Sequence, residues 1–499
     1  MEAKFDAPES FRLPPFERLR GVDRIGDAEV MSLAATYFDT AEHRLARQGV
    51  TLRRRSGGDD AGWHLKTPLP DGARREVHRP LDRSRRADPK PPVALLGLAK
   101  AYLRDSNVAP VARLKTERTR YRLFGPDDVV LADVTDDRVT GQALGGAEVT
   151  VTEWREIEVE LVHGNRKLLA AADRLLREAG ALPATASSKL ARTLDLVPAA
   201  APAAQPGSAG ATVLAYVQEQ VAALLAADGA VRQDEPDSTH SMRVATRRLR
   251  SVLATYRPVL DRAVTDPIRS ELQWLGGVLG GARDAEVTRA HLHEAVGDLP
   301  AEVVLGPVRR RLDGELRSAY RQGRVRLLAE LEAERYFRLL DVLTAVIAAP
   351  PLAGDAEGPA AELLPRRVAR EWKRLRGHRD LAAAATSPDQ HAVALHEVRK
   401  AAKRARYAAE LAVAVAGPPA ARFAEQMKHL QTRLGTRQDT VVTRDVLRAM
   451  GARAYLAGEN GFTFGLLHGL EHERAEEAER QYHDAWKRAA HKKYRRWLG

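Results

Sequence analysis

The pattern of apolar and polar positions divides the 499-residue chain into two parts of different structure. Up to about residue 197, short stretches alternate apolar and polar residues with the period of two that half-buried strands show. These stretches include GVTLRRR, GWHLKTP, PVARLKTER, VVLADVTDD and EWREIEVEL. Two further segments, VALLGLAKAYLRD and RKLLAAADRLLREAG, have an apolar face at helical spacing. The first part is therefore predicted to be an α+β domain over residues 1–197.

A Pro/Ala-rich segment separates this domain from the rest of the chain. Residues 198–212, within VPAAAPAAQPGSAGAT, carry no charge and are predicted to form an interdomain linker. From residue 213 to 499, Ala, Leu, Arg and Glu recur at helical spacing, so this second domain is predicted to be all-α.

The helical part contains an internal repeat. HSMRVATRRLR begins at His240 and HEVRKAAKRAR begins at His396, and LGGARDAEV from Leu279 matches LGTRQDTVV from Leu434. The simplest interpretation is a tandem duplication, with two pseudo-symmetric helical bundles over about 213–350 and 360–499.

Each repeated segment places cations along one side of a helix. His240, Arg243, Arg247 and Arg250 fall within an arc of about 80°, and the second copy has the same spacing. The cationic positions are His240, Arg243, Arg247, Arg248 and Arg250 in the first copy and His396, Arg399, Lys400, Lys403, Arg404 and Arg406 in the second.

Such a stripe has two interpretations. A solvated helix face is the common one, but solvated faces interleave acidic residues that cancel the charge. Between His240 and Arg257 there is no Asp or Glu, and the second copy contains only Glu397. Two stripes of equal spacing therefore favour an anion-binding surface over a solvated face.

The composition of the chain limits which class of anion this surface is expected to bind. The net charge of +12 favours polyanionic partners. Aromatic residues are only 5% of the chain and none lies between the cations of either stripe, which disfavours nucleic acid because single strands are bound by base stacking. Inorganic polyphosphate fits a phosphate-binding surface without base contacts. The absence of cysteine excludes disulfides, thiolate catalysis and cysteine-ligated zinc. The sequence shows no signal peptide and no apolar run long enough to span a membrane, so we expect a cytoplasmic protein without a membrane partner.

Residues 213–499 resemble the CHAD domain, the conserved-histidine α-helical domain, through HSMRVATRRLR and HEVRKAAKRAR with the segments that follow them. The resemblance implies two antiparallel four-helix bundles with a basic surface that binds inorganic polyphosphate. The cationic positions given above would line that surface.

The strands of the first part carry charge on one face. Glu156, Glu158 and Glu160 lie on one side of EWREIEVEL, and Ile157 and Val159 lie on the other. An isolated strand of this kind is most often a surface strand. If the strands instead close around an interior, three carboxylates on one wall would suit a divalent cation and the cations on other walls would suit phosphates.

The same half resembles the CYTH family of triphosphate tunnel enzymes in YFDTAEHRLARQGVTLRRR, WHLKTP, VARLKTERTR, WREIEVEL and SSKLART. The resemblance implies an antiparallel eight-stranded β-barrel that forms a tunnel, and hydrolysis or rearrangement of triphosphates with Mg²⁺ or Mn²⁺. It assigns triphosphate binding to Arg53, Arg55, Lys66, Arg113, Lys115, Lys189 and Arg192, metal binding to Glu2, Glu156, Glu158, Glu160 and Asp133, and catalysis to Glu2 and Lys4.

The sequence departs from the CYTH family pattern at one point. The signature first strand reads Glu-x-Glu-x-Lys; Glu2 and Lys4 fill its last two positions, and the first Glu is missing. The expectation is a polyphosphate-binding protein with a metal-dependent triphosphate hydrolase domain, located in the cytoplasm or on polyphosphate granules. The alternatives are an inactive polyphosphate-granule scaffold and an adenylyl cyclase.

Overall fold

The computed structural model describes residues 1–69, 73–81, 90–145, 150–196 and 204–499. Internal contacts divide them into two compact units, one of residues 1–200 with 228–233 and one of residues 201–227 with 234–499.

The described residues of the first unit form ten β-strands. They are β1 (Glu2–Asp6), β2 (Arg24–Ile25), β3 (Glu29–Asp39), β4 (Thr51–Ser56), β5 (Gly62–Pro68), β6 (Arg74–Pro80), β7 (Ala109–Phe124), β8 (Val130–Ala143), β9 (Val151–Leu161) and β10 (Leu182–Pro183). Five short or medium helices accompany them: α1 (Arg44–Arg47), α2 (Val93–Leu98), α3 (Lys100–Leu103), α4 (Arg166–Glu178) and α5 (Lys189–Thr193).

All paired strands run antiparallel in the order β10-β1-β9-β8-β7-β3-β4-β5-β6, with β2 beside β7. This confirms the antiparallel sheet but corrects the predicted closed eight-stranded barrel. Among the described residues no backbone ladder joins β6 to β10, and β2 and β10 add two strands of two residues each. Strands this short carry no period-two pattern that a sequence could reveal. A side-chain contact spans the gap, since Arg74 Nη2 donates to the carbonyl oxygen of Ser187 at 3.4 Å.

Helix α4 explains why the charged strand faces turn inward. Its apolar side, with Leu168, Ala172 and Leu176, packs on Phe5, Ile157, Val159, Val134 and Leu123 of the sheet. The side chain of Asn165 caps the helix by accepting from the backbone N–H groups of Lys167 and Leu168. Because alternate strand residues face opposite sides, burying Ile157 and Val159 under α4 places Glu156, Glu158 and Glu160 on the other side of the sheet.

The second unit is all-α, as predicted. Its helices are α6 (Ala209–Arg232, of which residues 228–232 group with the first unit), α7 (Ser238–Thr255), α8 (Arg262–Gly297), α9 (Val308–Leu331), α10 (Glu334–Ala348), α11 (Ala360–Ala383), α12 (Pro388–Leu456) and α13 (Phe462–Ala489). Helix α12 is broken at Gly417, which has φ 56° and precedes two prolines. One core of this unit joins α8, α9, α12 and α13 through residues such as Leu292, Leu312, Leu447 and Phe464.

The predicted linker is shorter than expected. Part of it, residues 198–203, lies outside the described residues, and α6 begins at Ala209 with the Ser208 hydroxyl accepting from Ala211 N–H. By length and hydropathy α6 could cross a membrane; half of its apolar window is buried inside the structure, as in the core helix of a globular domain.

Candidate functional site

The inner face of the sheet lines a cavity of about 410 Å³. Almost every strand contributes an ionisable side chain to it. The cations that line it are Lys4, Arg53, Arg55, Lys66, Arg74, Arg118, Arg120 and Lys189, and the carboxylates are Glu2, Asp59, Asp60, Glu76, Asp133, Glu158 and Glu160. A cavity with this lining can bind a multiply charged anion together with a cation.

Three predicted metal ligands form a row across neighbouring strands. Glu160 of β9 is paired with Glu2 of β1 on one side and with Asp133 of β8 on the other. The Oδ1 atom of Asp133 is buried and accepts no hydrogen bond from the described residues, and it lies 4.0 Å from Arg122 Nε. An orphaned carboxylate oxygen beside two further carboxylates is a donor set that a hard divalent cation fits.

A second acidic cluster lies further along the same strands. Oxygen atoms of Asp137, Glu156 and Glu158 lie within 4.8 Å of one another, so the cluster could hold a metal ion. The ammonium group of Lys189 contacts all three carboxylates, at 3.0 Å from Asp137 and 3.1 Å from Glu158. Here a cation of the chain itself neutralises the cluster.

Local structure places Lys189 in this position. It begins helix α5, which the Ser188 hydroxyl caps by accepting from Ala191 N–H at 3.1 Å. The next residue, Leu190, is buried beside Val139 and Trp154. Anchoring the helix start in this way directs the Lys189 side chain at the carboxylates.

The charged groups of this network, together with burial, shift the pKa values of its carboxylates. Burial alone would raise the pKa of Glu158, but Lys189 and Lys4 outweigh it and hold that pKa well below the usual range. Lys4 Nζ donates to Glu158 at 2.7 Å and lies 3.6 Å from Glu2. Burial raises the pKa of Glu156, which lines a smaller adjoining cavity with Asp6 and Arg192 rather than the large one.

The arginines on the opposite wall are incompletely paired. Arg53 Nη1 donates to the Tyr37 hydroxyl at 3.3 Å, and Arg55 forms an ion pair with Asp60. The Nε atoms of both arginines are buried without a hydrogen-bond partner among the described residues. Burial, together with neighbouring Arg53 and Arg118, lowers the pKa of Arg55 to about 10. Lys66 is paired with Glu76 at 3.1 Å. Clustered cations with unused donors are the chemistry expected of a phosphate-binding wall.

The structure corrects the predicted positions of three triphosphate ligands. Arg113 and Lys115 are exposed and do not line the cavity, because β7 turns the other set of alternate residues inward. Arg118 and Arg120 occupy that inner face, and the sequence analysis missed them. Arg192 lies in the smaller cavity, where it is bonded to Asp6 at 2.5 Å.

A signal for the missed residues was present in the sequence. Arg118, Arg120 and Arg122 alternate with Thr119, Tyr121 and Leu123 in β7, as expected for one charged face of a strand. Asp137, also missed, shares the strand face of Asp133 in β8.

In the second unit, α7 and the first segment of α12 bring four predicted cations together. We call Arg243, Arg247, Arg399 and Lys403 the central cluster; each of the last two lies close enough to both first-copy arginines to be influenced by their charge. The two helices are joined by Arg247 Nε, which donates to the Tyr407 hydroxyl at 2.6 Å. The repeats therefore meet at their cationic faces.

Lys403 has the fewest polar contacts of the four central-cluster residues, as far as the described part of the chain shows. Within the described part of the chain its ammonium group makes no hydrogen bond and no ion pair. Burial and the positive charges of Arg399, Arg247 and Arg243 lower its pKa to about 7, against the opposing influence of Asp439. An anion at this place would relieve the repulsion.

The other predicted cations lie outside the central cluster. Acidic residues neutralise several of them: Arg248 and Arg406 contact Glu410, Arg404 contacts Glu371, and Lys400 contacts Glu397 of the same stripe. His240, His396 and Arg250 are exposed, and His396 Nδ1 lies 3.1 Å from Gln438 Oε1. The stripes that contain no Asp and almost no Glu in sequence are thus partly neutralised in three dimensions.

Comparison with known proteins identifies both halves. The model of the CYTH domain matches residues 2–194 and the model of the CHAD domain matches residues 215–448. Two uncharacterized proteins from strains of Mycobacterium tuberculosis are each 39% identical over 498 residues, covering 96% of this chain and 94% of theirs.

Solved structures resemble parts of the chain. PptA from Streptomyces chartreusis has 20% identity and a TM-score of 0.46, covering 56% of this chain and 99% of its own. The CHAD domain of the plant Ricinus communis has 25% identity and a TM-score of 0.44, covering 57% and 95%. HpAC1 from Hippeastrum, studied as an adenylyl cyclase and described with a dominant triphosphatase activity, has 17% identity and a TM-score of 0.24, covering 40% and 97%.

Proposed function

The chain belongs to the family of proteins that join a CYTH domain to a CHAD domain, and on that premise we propose that it binds inorganic polyphosphate and hydrolyses inorganic triphosphate with a divalent cation. We place it, in the same proposal, in the cytoplasm on polyphosphate granules.

One observation supports the hydrolase part above all others. Within a single cavity, the incompletely paired guanidinium groups of Arg53 and Arg55 lie on one wall and the carboxylates of Glu2, Glu160 and Asp133 lie on another. Triphosphate with a divalent cation has the complementary distribution of charge, since the phosphate oxygens match the arginines and the cation matches the carboxylates.

The metal would be Mg²⁺ or Mn²⁺, because every donor in the row is a carboxylate oxygen. When bound, it would neutralise phosphate charge and activate water for attack. Glu2, Glu160 and Asp133 would hold it, with Glu158 beside them.

The remaining residues bind and orient the substrate. Arg53, Arg55 and Lys66 would hold phosphate oxygens and stabilise the charge that develops in the transition state. Glu158 is a poor general base, because Lys189 and Lys4 hold its pKa far below neutral pH. Its role in this proposal is to position Lys4 and the bound cation.

Phosphate release from tripolyphosphate by the full chain, with and without Mg²⁺, tests the hydrolase. We expect Mg²⁺-dependent release that falls at least about a hundredfold in Glu158→Gln. Glu153→Gln is the matched control, since Glu153 is exposed on the same strand and does not line the cavity. Release that needs no divalent cation, or equal release by both variants, would contradict the proposal.

The binding part rests on the central cluster, where cations from both repeats meet. The aromatic ring that contacts Arg247, Tyr407, is buried and is therefore not available to stack on a base. We expect the full chain to bind long polyphosphate with an affinity that falls steeply with salt, as for any contact that releases counterions. Replacing Arg243, Arg247, Arg399 and Lys403 together by alanine should abolish it. Unchanged affinity in that variant would refute a polyphosphate site here.

One observation favours a second candidate function, a binding protein without catalysis. Lys189 already neutralises the cluster of Asp137, Glu156 and Glu158, so the tunnel has a charge balance that requires no metal there. Intact polyphosphate binding with no phosphate release under any divalent cation would establish this candidate.

A further inference from the structure

The second repeated motif, LGGARDAEV and LGTRQDTVV, is not explained by the proposed function. In the structure the aspartate in the middle of each copy lies beside an arginine of the central cluster. Arg243 Nη1 donates to Asp284 Oδ1 at 2.7 Å, and Arg399 Nη2 lies 3.9 Å from Asp439 Oδ1. The two pairs occupy equivalent positions in the two repeats, so the repeated cation and the repeated aspartate form one unit that occurs twice.

Glycines in the same motif lie beside these arginines. A Cβ atom at Gly280 would lie 3.8 Å from Arg243 Nη2, and one at Gly435 would lie 3.5 Å from Arg399 Nη2, which are ordinary van der Waals distances. Each guanidinium therefore rests against a glycine one helical turn before its aspartate, and the motif supplies that aspartate as a counter-ion.

The aspartates are not structural counter-ions of a buried network. Their side chains are 65% exposed for Asp284 and 63% for Asp439, and exposed ion pairs contribute little to stability. Asp284 also lies close enough to Asp439 to influence its charge, while most of each side chain stays in contact with solvent. Both carboxylates thus face the place where an anion would contact the central cluster.

The partners of the four cations differ. Arg243 and Arg399 are engaged by aspartates, Arg247 by the Tyr407 hydroxyl, and Lys403 by no hydrogen bond or ion pair among the described residues. A phosphate chain that uses all four must take two arginines away from carboxylates, and the carboxylates also repel it.

We propose that Asp284 and Asp439 compete with phosphate for Arg243 and Arg399 and so lower the affinity of the central cluster for polyphosphate. A polymer that reaches both repeats gains the contacts of all four cations from one binding event. It must displace both aspartates to do so, and the two costs add. This inference rests on the proposed polyphosphate binding.

The test measures the affinity of the full chain for polyphosphate of about a hundred units at fixed salt, in Asp284→Asn, Asp439→Asn and the double variant. Each single substitution should tighten binding about threefold, the size expected for an exposed ion pair. For a polymer that spans both repeats, the effects multiply to about tenfold in the double variant. A polymer held by one repeat at a time would show a double gain well below that product, which would overturn the displacement of both aspartates in one binding event.

The control removes the same charge nearby. Asp237→Asn with Glu286→Gln takes away two carboxylates that contact Arg283 on α8 without touching the central cluster. We expect its affinity to stay within about twofold of the unchanged chain. Weaker polyphosphate binding by the Asp284 and Asp439 variants would mean that the aspartates position the arginines. A gain in affinity no larger than that of the control would mean a general charge effect. Either result overturns the inference.

The same experiment separates this inference from the proposed function. No polyphosphate binding by the unchanged chain would refute the proposed function itself. Binding by the unchanged chain with no effect of the substitutions would refute only the role of Asp284 and Asp439. Thermal melts of each variant establish that it is folded, as expected for changes at exposed side chains.

Discussion

Arg247 Nε donates a hydrogen bond of 2.6 Å to the hydroxyl oxygen of Tyr407, and this contact joins the two repeats of the helical unit. The Tyr407 ring is buried, and the guanidinium carbons of Arg247, Arg248 and Arg406 lie 5.5, 5.9 and 5.5 Å from its centroid. Tyr407 of the second repeat therefore contacts arginines of both repeats.

Tyr407→Phe should lower the free energy of unfolding by about 1 kcal/mol, because the ring stays and only the hydrogen-bond acceptor of Arg247 is lost. Urea unfolding measures the change. Tyr455→Phe is the control, since that side chain is exposed and should give a change near zero. Equal stability of both variants would show that the contact contributes nothing.

The position of Arg113 outside the cavity can be tested by comparing it with Arg53 of β4, which lines the cavity. Arg53→Met should weaken tripolyphosphate binding at least about tenfold, because it removes an incompletely paired cation from the cavity. Arg113→Met should leave binding within about twofold, because that side chain is exposed outside the cavity. Calorimetric titration measures both, and a larger loss in Arg113→Met would place the site elsewhere.

The lowered pKa of Lys403, about 7, predicts a pH-dependent affinity for polyphosphate. Bound phosphate favours the charged ammonium group, so affinity is greatest below pH 7 and falls as the pH rises through that value. Lys403→Arg should flatten the profile between about pH 7 and pH 9, because a guanidinium stays charged there and an ordinary histidine is already neutral. An identical decline in the arginine variant would exclude Lys403 as its source.

The lowered pKa of Lys403 also makes protein stability depend on pH, in the direction opposite to that of polyphosphate affinity. The unfolded chain has an ordinary lysine pKa of 10.5, so between pH 7 and 10.5 unfolding takes up a proton at Lys403. Without ligand, this residue therefore makes the protein more stable as the pH rises through that range. In Lys403→Arg the contribution should disappear, which denaturant titrations at several pH values would detect.

Asp133→Asn should separate metal binding from folding. The substitution removes a ligand from the carboxylate row, so we expect Mn²⁺ affinity, followed by electron paramagnetic resonance, to fall at least about tenfold. Without metal the variant should be slightly more stable, by up to about 1 kcal/mol, because repulsion with Glu160 and Glu2 is relieved. Asp136→Asn on the same strand is the control: it loses the ion pair with Arg155, so stability should fall while Mn²⁺ affinity stays unchanged. A normal Mn²⁺ affinity in Asp133→Asn would exclude Asp133 as a ligand.

Much of the architecture follows from local patterns. Period-two alternation in EWREIEVEL predicted both the strand and the shared face of Glu158 and Glu160, and helical spacing from His240 predicted that Arg243 and Arg247 lie together. Both patterns are visible because strand and helix geometry repeat every few residues. The strand β10 was missed because a pair that spans two residues leaves no such pattern.

The sequence indicates less clearly which face of β7 points into the cavity. Arg113 and Lys115 alternate with apolar residues as regularly as Arg118 and Arg120 alternate with Thr119 and Tyr121, so charge by itself does not indicate which set faces inward. The pairing of β7 with β3 and β8, which places Arg118 opposite Asp137, decides it.

By itself the sequence determined the two-part division, the duplication and the residue types that meet phosphate, because periodicity, composition and repetition are properties of neighbouring residues. Only the tertiary structure decided which charges are compensated. Lys189 is neutralised by Asp137, Glu156 and Glu158, Arg404 by Glu371 and Arg248 by Glu410, while Lys403 keeps no ion partner among the described residues. The physical reason is that Coulomb energy depends on distance in space and on burial, and neither can be obtained from separation along the chain.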